Sequence, residues 1–338
     1  MIEIGNKARR GDAPAGPSLL GDVGGSNVRL AWQGRAGAPI ERVRVVPCGD
    51  FPNLTACIQD YLSGLGRDGL APPSQAALGV ATPVLQDQIC LTNRDWSFSA
   101  QALRSALDLQ RLVVMNDFTA LALAIPALPQ GDFWHCGGPR AEPPVADAGT
   151  LALLGPGTGL GVSGLVSTGD RQWTALQTEG GHVSLAAHNE REHRLILQLA
   201  RRFGHVSAER VLSGPGLVHL AEALCELDGC ALPAGITPAG VIEQAQAKAH
   251  AQCVEALELF GAFLGDVAGD LVLSLGARAG VYIGGGIVPR LGPEWIRASR
   301  FRQRFEAKGR MAGYLAAVPS YVIASQEPPA LLGASRAL

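Results

Sequence analysis

Gly21-Asp22-Val23-Gly24-Gly25-Ser26-Asn27 lies between the apolar runs Ser18 to Leu20 and Val28 to Trp32, and reads as strand, glycine turn, strand. A carboxylate at the start of such a turn, Asp22, can orient a hydrated Mg²⁺, while Gly24, Gly25 and Ser26 offer amide and hydroxyl donors to phosphate oxygens. The segment has neither the Lys and following helix of a P-loop nor the helix that a dinucleotide fingerprint requires. Taken alone, it reads equally well as a chain reversal. Leu151 to Val162 repeats the arrangement, with Gly157-Thr158-Gly159 in the turn, so two related halves serving one nucleotide are predicted. In a third segment, Val281 to Val288, a strand runs into Gly284-Gly285-Gly286, where backbone can approach a flat ligand closely.

Asn116-Asp117 falls at the end of one predicted strand and the start of a helix, where ligands gather in open α/β sheets. Asp117 suits either a helix N-cap or a base for a hydroxyl attacking a phosphoryl group, with Asn116 orienting that hydroxyl. Thr178-Glu179-Gly180-Gly181-His182 sets an acceptor and an imidazole about a tight turn, and His205 to Arg210 adds Glu209. Carboxylates with His and Asn suit a polyol such as a sugar, since a hydrogen-bonding site rejects analogues lacking a hydroxyl. His182, His188, His193 and His205 do not have the spacing of a metal site.

The elements that must position these groups follow from periodicity. An apolar segment runs from Arg42 to Pro47, strands are predicted at Ala76 to Val80, Leu85 to Asn93 and Leu112 to Met115, and helices at Leu54 to Leu65, Ala100 to Leu107 and Ala120 to Ile125. Helical spacing recurs in Arg191 to Phe203, Pro238 to His250 and Gln252 to Leu275, and Gly333 lies in a C-terminal helical stretch that can return to the first lobe. At 338 residues with 47% hydrophobic content, two cores are expected. The predicted division is a flexible extension over residues 1–17, a small α/β lobe of 18–127 with 318–338, and a large α/β lobe of 128–317. Hinges are placed near Ile125 to Pro129 and Val318 to Tyr321.

With 28 basic and 30 acidic side chains the net charge is -2, so no global attraction to nucleic acid or anionic membrane is expected. Arg297, Arg300, Arg302, Arg304, Lys308 and Arg310 read as the solvated face of a helix. Seven cysteines without a CxxC pair suit reduced thiols in a cytoplasmic protein. The N-terminal stretch has no apolar core of a signal peptide, and the uncharged run Thr150 to Gly169 is too broken by glycine and Pro156 for a membrane helix.

Several motifs occur in one order: Gly21 to Asn27, Leu91-Thr92-Asn93-Arg94-Asp95-Trp96, Asn116 to Ala120, Gly157 to Gly161, Glu179 to Val183, His205 to Gly216 and Gly284 to Arg290. By these, from about residue 18 to the C-terminus, the chain resembles the ATP-dependent bacterial glucokinases of the sugar kinase, actin and heat-shock chaperone ATPase superfamily. The resemblance implies a two-lobed α/β, actin-like (ribonuclease H-like) fold with a cleft between lobes. It implies ATP and Mg²⁺, with Asp117 as general base and with Asn116, Asp117, Glu179, His182 and Glu209 holding glucose. Gly21, Asp22, Val23, Gly24, Gly25 and Ser26, with Gly157, Thr158, Gly159 and Gly285, are assigned to the nucleotide, and Asp22 to Mg²⁺ through water. A homodimer is implied as well. Three positions depart from the family's pattern: Ser26 stands where Thr is usual, Pro156 enters the second turn, and Ser184 follows His-Val where Asp is common. The zinc-binding cysteine cluster of the related repressor and open-reading-frame kinases is absent. The alternatives are a kinase for another hexose and a non-catalytic sugar sensor, for which the 17-residue extension leaves no room for a helix-turn-helix.

Overall fold

The computed structural model describes residues 1–5, 16–91, 96–140, 149–169, 172–325 and 328–338. Of the Leu91-to-Trp96 motif, 92–95 lie outside the described residues, and Leu91 and Trp96 are buried. The chain divides into two compact units: residues 1–128, 174–177 and 325–338, and residues 129–173 and 178–324.

The first unit is built on strands β1 (Ile2–Gly5), β2 (Ser18–Val23), β3 (Asn27–Gln33), β4 (Glu41–Pro47), β5 (Gln75–Val80) and β8 (Arg111–Asn116), with a small hairpin of β6 (Gln88–Cys90) and β7 (Ser97–Ser99). The sheet order is β1-β8-β5-β2-β3-β4. β2, β5 and β8 run parallel, β2-β3-β4 form an antiparallel meander, and β1 lies antiparallel on β8. Side-chain alternation sends Leu19, Leu78 and Val114 to one face, with α1 (Leu54–Arg67) and α2 (Ala100–Ala106). Leu20, Ala77, Val113 and Met115 face the other, with Ala120 of α3 (Asp117–Ala124).

In the second sheet, which lies mainly in the second unit, β10 (Thr150–Pro156) and β11 (Leu160–Gly169) pair antiparallel with β12 (Gln172–Gln177) beside β11, and β13 (Val281–Ile283) and β14 (Ser320–Ile323) run parallel to β10. β9 (Phe133–Gly137) is antiparallel on β14, giving the order β12-β11-β10-β13-β14-β9. Strand for strand, this repeats the first sheet. Its core is built by α4 (Glu190–Phe203), α5 (Gly214–Asp228), α6 (Pro238–Gln246) and the mostly buried α7 (Ala251–Leu275), followed by α8 (Ile287–Leu291), α9 (Pro293–Ala298), α10 (Phe301–Glu306) and α11 (Ala312–Ala316).

Three expectations change. Within the predicted N-terminal extension, Ile2–Gly5 form a strand, the counterpart of β9. Ile2 and Ile4 pack against the core and Glu3 pairs with Arg111 at 2.8 Å, in a strand too short to show its period. The hinge expected at Val318 to Tyr321 does not fall where the chain changes unit: Ser320–Ile323 is a buried central strand, and the change comes after Ala324. The basic cluster is a solvated face only in part: Arg297, Arg300 and Arg310 are exposed, whereas Arg302, Arg304 and Lys308 turn inward. Arg304 is buried against Glu192 and Asp266, and Arg302 donates to the carbonyl oxygens of Leu315, Ala316 and Val318. Short helices broken at Ser299 and Ala307 turn Arg302 and Arg304 inward where one long helix would have kept them out.

The C-terminal helix α12 (Pro329–Arg336) packs on α3 in the first unit. Their crossing is close enough that a Cβ on Gly333 would overlap the carbonyl oxygen of Ala120. Gly333→Ala must therefore push the helices apart, and a loss of about 1 to 3 kcal/mol is expected. Urea unfolding checks this: an unchanged midpoint would mean that α12 shifts freely.

Candidate active site

The C-terminal edge of the first sheet gathers two carboxylates. Asp22, on β2, sits opposite Arg29 of β3, whose guanidinium approaches it at 2.8 Å. Burial pushes the Asp22 carboxyl up, and Arg29 opposes that shift. Asp117 is the first residue of α3, two strands across the sheet. The helix cap is Asn116: its Oδ1 accepts from Phe118 N at 2.9 Å, and its Nδ2 faces the Thr82 carbonyl oxygen at 3.4 Å. Asp117 accepts from the same Phe118 amide at 2.9 Å. Its carboxyl is raised to about 6, by burial first and then by the charge of Asp22, against these hydrogen bonds. The intervening strand contributes Gly79, where a Cβ would stand 3.2 Å from Ala120 Cβ and 3.6 Å from Asp117 Cα, so β5 leaves room for α3 to start here. Neither Gly79 nor Thr82 was legible as a site residue; only the parallel register places them beside Asp117.

In the first glycine turn, Gly21 and Val23 are buried in β2, with Gly21 against Leu78. The Gly24 amide closes the turn on Asn27 O at 3.0 Å, so it is not a free donor as the sequence suggested. Among the described residues, the amides of Gly25 and Ser26 and the Ser26 hydroxyl bond to no other group of the chain.

In the second unit the matching turn is held from below. Gly157 N bonds Gly159 O, and Gly214 N bonds Gly157 O, both at 2.8 Å. Pro156 ends β10 opposite Leu160. At Gly285, φ is +75° and a Cβ would overlap the Pro156 carbonyl oxygen, so the third glycine segment lies directly against the second turn. Thr158 is exposed at its tip.

Glu179, His182 and Glu209 come together beside this turn. Gly180–His182 is a single tight helical turn, closed by His182 N to Glu179 O at 3.0 Å. Partial burial raises the Glu179 carboxyl; His182 lowers it and Glu209 raises it further. Glu209 Oε2 accepts the Leu160 amide at 2.8 Å, which ties the acidic cluster to the glycine turn. Ser213 supports Glu209 from behind: its hydroxyl donates to the Glu209 carbonyl oxygen at 2.9 Å and caps α5. Ser184, the departure noted in the sequence, has its hydroxyl 3.1 Å from His205 Nε2.

Two sheets of one topology, each with a glycine hairpin and acidic groups near it, define a sugar kinase of the actin-like α/β class. A family model described as Glucokinase matches residues 19–338. The chain is 51% identical to a glucokinase of Aromatoleum aromaticum over 95% of its length and 94% of the relative's, and 51% identical to one of Chromobacterium violaceum over 93% and 87%. The crystal structure of a glucokinase from an Antarctic psychrotroph superposes with a TM-score of 0.83 at 35% identity, covering 95% of this chain and 98% of that one. The chain belongs to the glucokinase family.

Proposed function

We propose that this protein transfers the γ-phosphoryl group of ATP to the 6-hydroxyl of glucose. The observation that carries the reading is Asp117: a carboxylate at a helix start, two strands from the glycine hairpin, whose proton affinity is raised to about 6. A base tuned near the working pH takes a hydroxyl proton efficiently while staying mostly ionised. Asn116, fixed by its cap bond, orients the same hydroxyl. Glu179, His182 and Glu209 accept from and donate to the remaining sugar hydroxyls, and the free amides of Gly25 and Ser26, with Thr158 and Gly285, receive the nucleotide.

The charge of Asp22 raises the affinity of Asp117 for a proton, and Arg29 pairs with Asp22. A pair of hard oxygen donors of this kind fits Mg²⁺ held through water, with Asp22 as its anchor. Bound there, Mg²⁺ supplies charge neutralisation on the phosphates. Among the described residues no helix is long and apolar enough to cross a membrane, and a cytoplasmic homodimer belongs to the same reading. Light scattering tests the dimer.

The deciding experiment is coupled detection of ADP with Mg-ATP across glucose, mannose, fructose, glucosamine and N-acetylmannosamine, with a no-sugar control. Strong turnover with glucose upholds the reading. Turnover with another hexose alone changes the substrate, and silence with every sugar overturns the assignment. Glu209→Gln keeps an acceptor for the Leu160 amide but loses the charge. KM for glucose is then expected to rise roughly 10-fold to 100-fold, the worth of one charge-assisted hydrogen bond, with a smaller change in kcat. An unchanged KM would remove Glu209 from the sugar.

A further inference from the structure

A second cluster of ligand-type side chains lies at the junction of α5 and α7. Cys225 sits in the last turn of α5, Gly229 ends the helix in the left-handed region, and Cys230 N returns to Cys225 O at 3.0 Å. That reversal brings two thiols together across four intervening residues. His250 immediately precedes α7 and meets them there. The ligand atoms of Cys225, Cys230 and His250 all lie within 4.8 Å of one another.

The histidine is set as a metal-binding imidazole is set. Its Nε2 is 3.1 Å from the Ala231 carbonyl oxygen, which accepts only, so Nε2 carries the hydrogen and Nδ1 keeps its lone pair. Nδ1 is buried and has no hydrogen-bond partner. A buried acceptor left unpaired costs about 1 to 3 kcal/mol and calls for an explanation. Cys253, one helical turn beyond His250, is fully buried; its charge acts on Cys225, and that of Cys230 acts on it.

We propose that Cys225, Cys230 and His250 form a binding site for a thiophilic d¹⁰ cation, Zn²⁺ foremost, with Cys253 as the sulfur available to complete a fourfold shell. Two thiolates and one imidazole match the borderline softness of Zn²⁺, and bond lengths of about 2.0 to 2.3 Å require the ligand atoms to draw in by roughly 1 Å. Both cysteines would bind as thiolates, so metal uptake releases protons. A cavity of about 440 Å³ is lined by both cysteines with Arg202, Glu222, Glu226 and Leu232. The ion would tie the end of α5 to the start of α7 and close the excursion that carries α6, away from Glu179, His182 and Glu209. The proposal does not rest on the sugar or the nucleotide.

The test uses the full-length protein, kept reduced, stripped with a chelator, desalted and titrated with Co²⁺ and then Zn²⁺. One Co²⁺ per chain is expected, with thiolate-to-cobalt charge-transfer absorption and the visible bands of a tetrahedral site, both erased by Zn²⁺. Zn²⁺ should raise the thermal midpoint. Cys230 is exposed and tolerates Cys230→Ser; this variant and His250→Gln are expected to bind Zn²⁺ at least roughly 10²-fold more weakly and to lose the midpoint shift. Sugar phosphorylation without Zn²⁺ should be unchanged in both. Wild-type protein without the thiolate band, equal affinity in the two variants, or a Cys225–Cys230 disulfide that forms in air while the reduced protein takes up no metal would each overturn the site.

Discussion

Replacing Asp117 by Asn is expected to lower kcat by roughly 10² to 10⁴ while leaving glucose binding nearly intact, because the amide keeps the shape and loses the base. Steady-state kinetics with glucose titration checks both halves. Equal turnover would remove Asp117 from the reaction. The pH profile provides an independent readout. With the carboxyl raised to about 6, the ionised base disappears as pH falls through 6, so wild-type turnover should decline on that limb and Asp117→Asn should lack it. The same shift has a stability consequence of the opposite sign to a salt-bridged carboxylate. The native state binds this proton more tightly than the unfolded chain, so protonation stabilises the fold between pH 6 and 4, and at neutral pH the ionised Asp117 is destabilising. Asp117→Asn should therefore be more stable than wild type at pH 7, by about 1 to 3 kcal/mol, even as it fails to turn over. A variant both inactive and less stable would point to a disturbed helix start instead.

The largest expected loss of stability comes from Arg304→Met. Arg304 donates to Glu192 through Nη1 at 2.6 Å and Nη2 at 3.0 Å, and it also holds both oxygens of Asp266. All three side chains are at most 5% exposed. Glu192 is further satisfied by the His188 amide and by Asn189, both at 2.8 Å, and His188 Nε2 lies 3.1 Å from Asp266. Removing the cation leaves two buried carboxylates facing one another, and a loss of about 3 to 5 kcal/mol in urea unfolding is expected. Adding Glu192→Gln and Asp266→Asn should return much of it, since no unpaired charge is then left inside. If the single variant unfolds at the wild-type midpoint, solvent reaches this network and the ion pairs contribute little.

Both expectations concern residues that the sequence exposed unequally. Asp117 announced itself by position, after an apolar strand and before a helix, and the cap role that competed for it belongs to its neighbour Asn116. Arg304 was read with the wrong neighbours, because a run of cations at near-helical spacing carries no mark of where the helix breaks. The cluster of Cys225, Cys230 and His250 escaped for a similar reason: Cys230 and His250 are far apart along the chain and meet only through the α5 cap and the excursion carrying α6.

The sequence by itself determined the strands and helices whose periods span several residues, the glycine turns, and the kinds of chemistry that Asp117, Glu179, His182 and Glu209 can perform. These are properties of local pattern and side-chain type, so no partner is needed to read them. Tertiary structure alone decided that the Gly24 amide is spent inside its turn, that Glu209 grips the Leu160 amide, and that Ile2–Gly5 complete a sheet. It also decided that Gly333 must be small and that Arg304 is buried. Each depends on which distant segment arrives beside it, and sheet register and helix crossing settle that only once the whole core has packed.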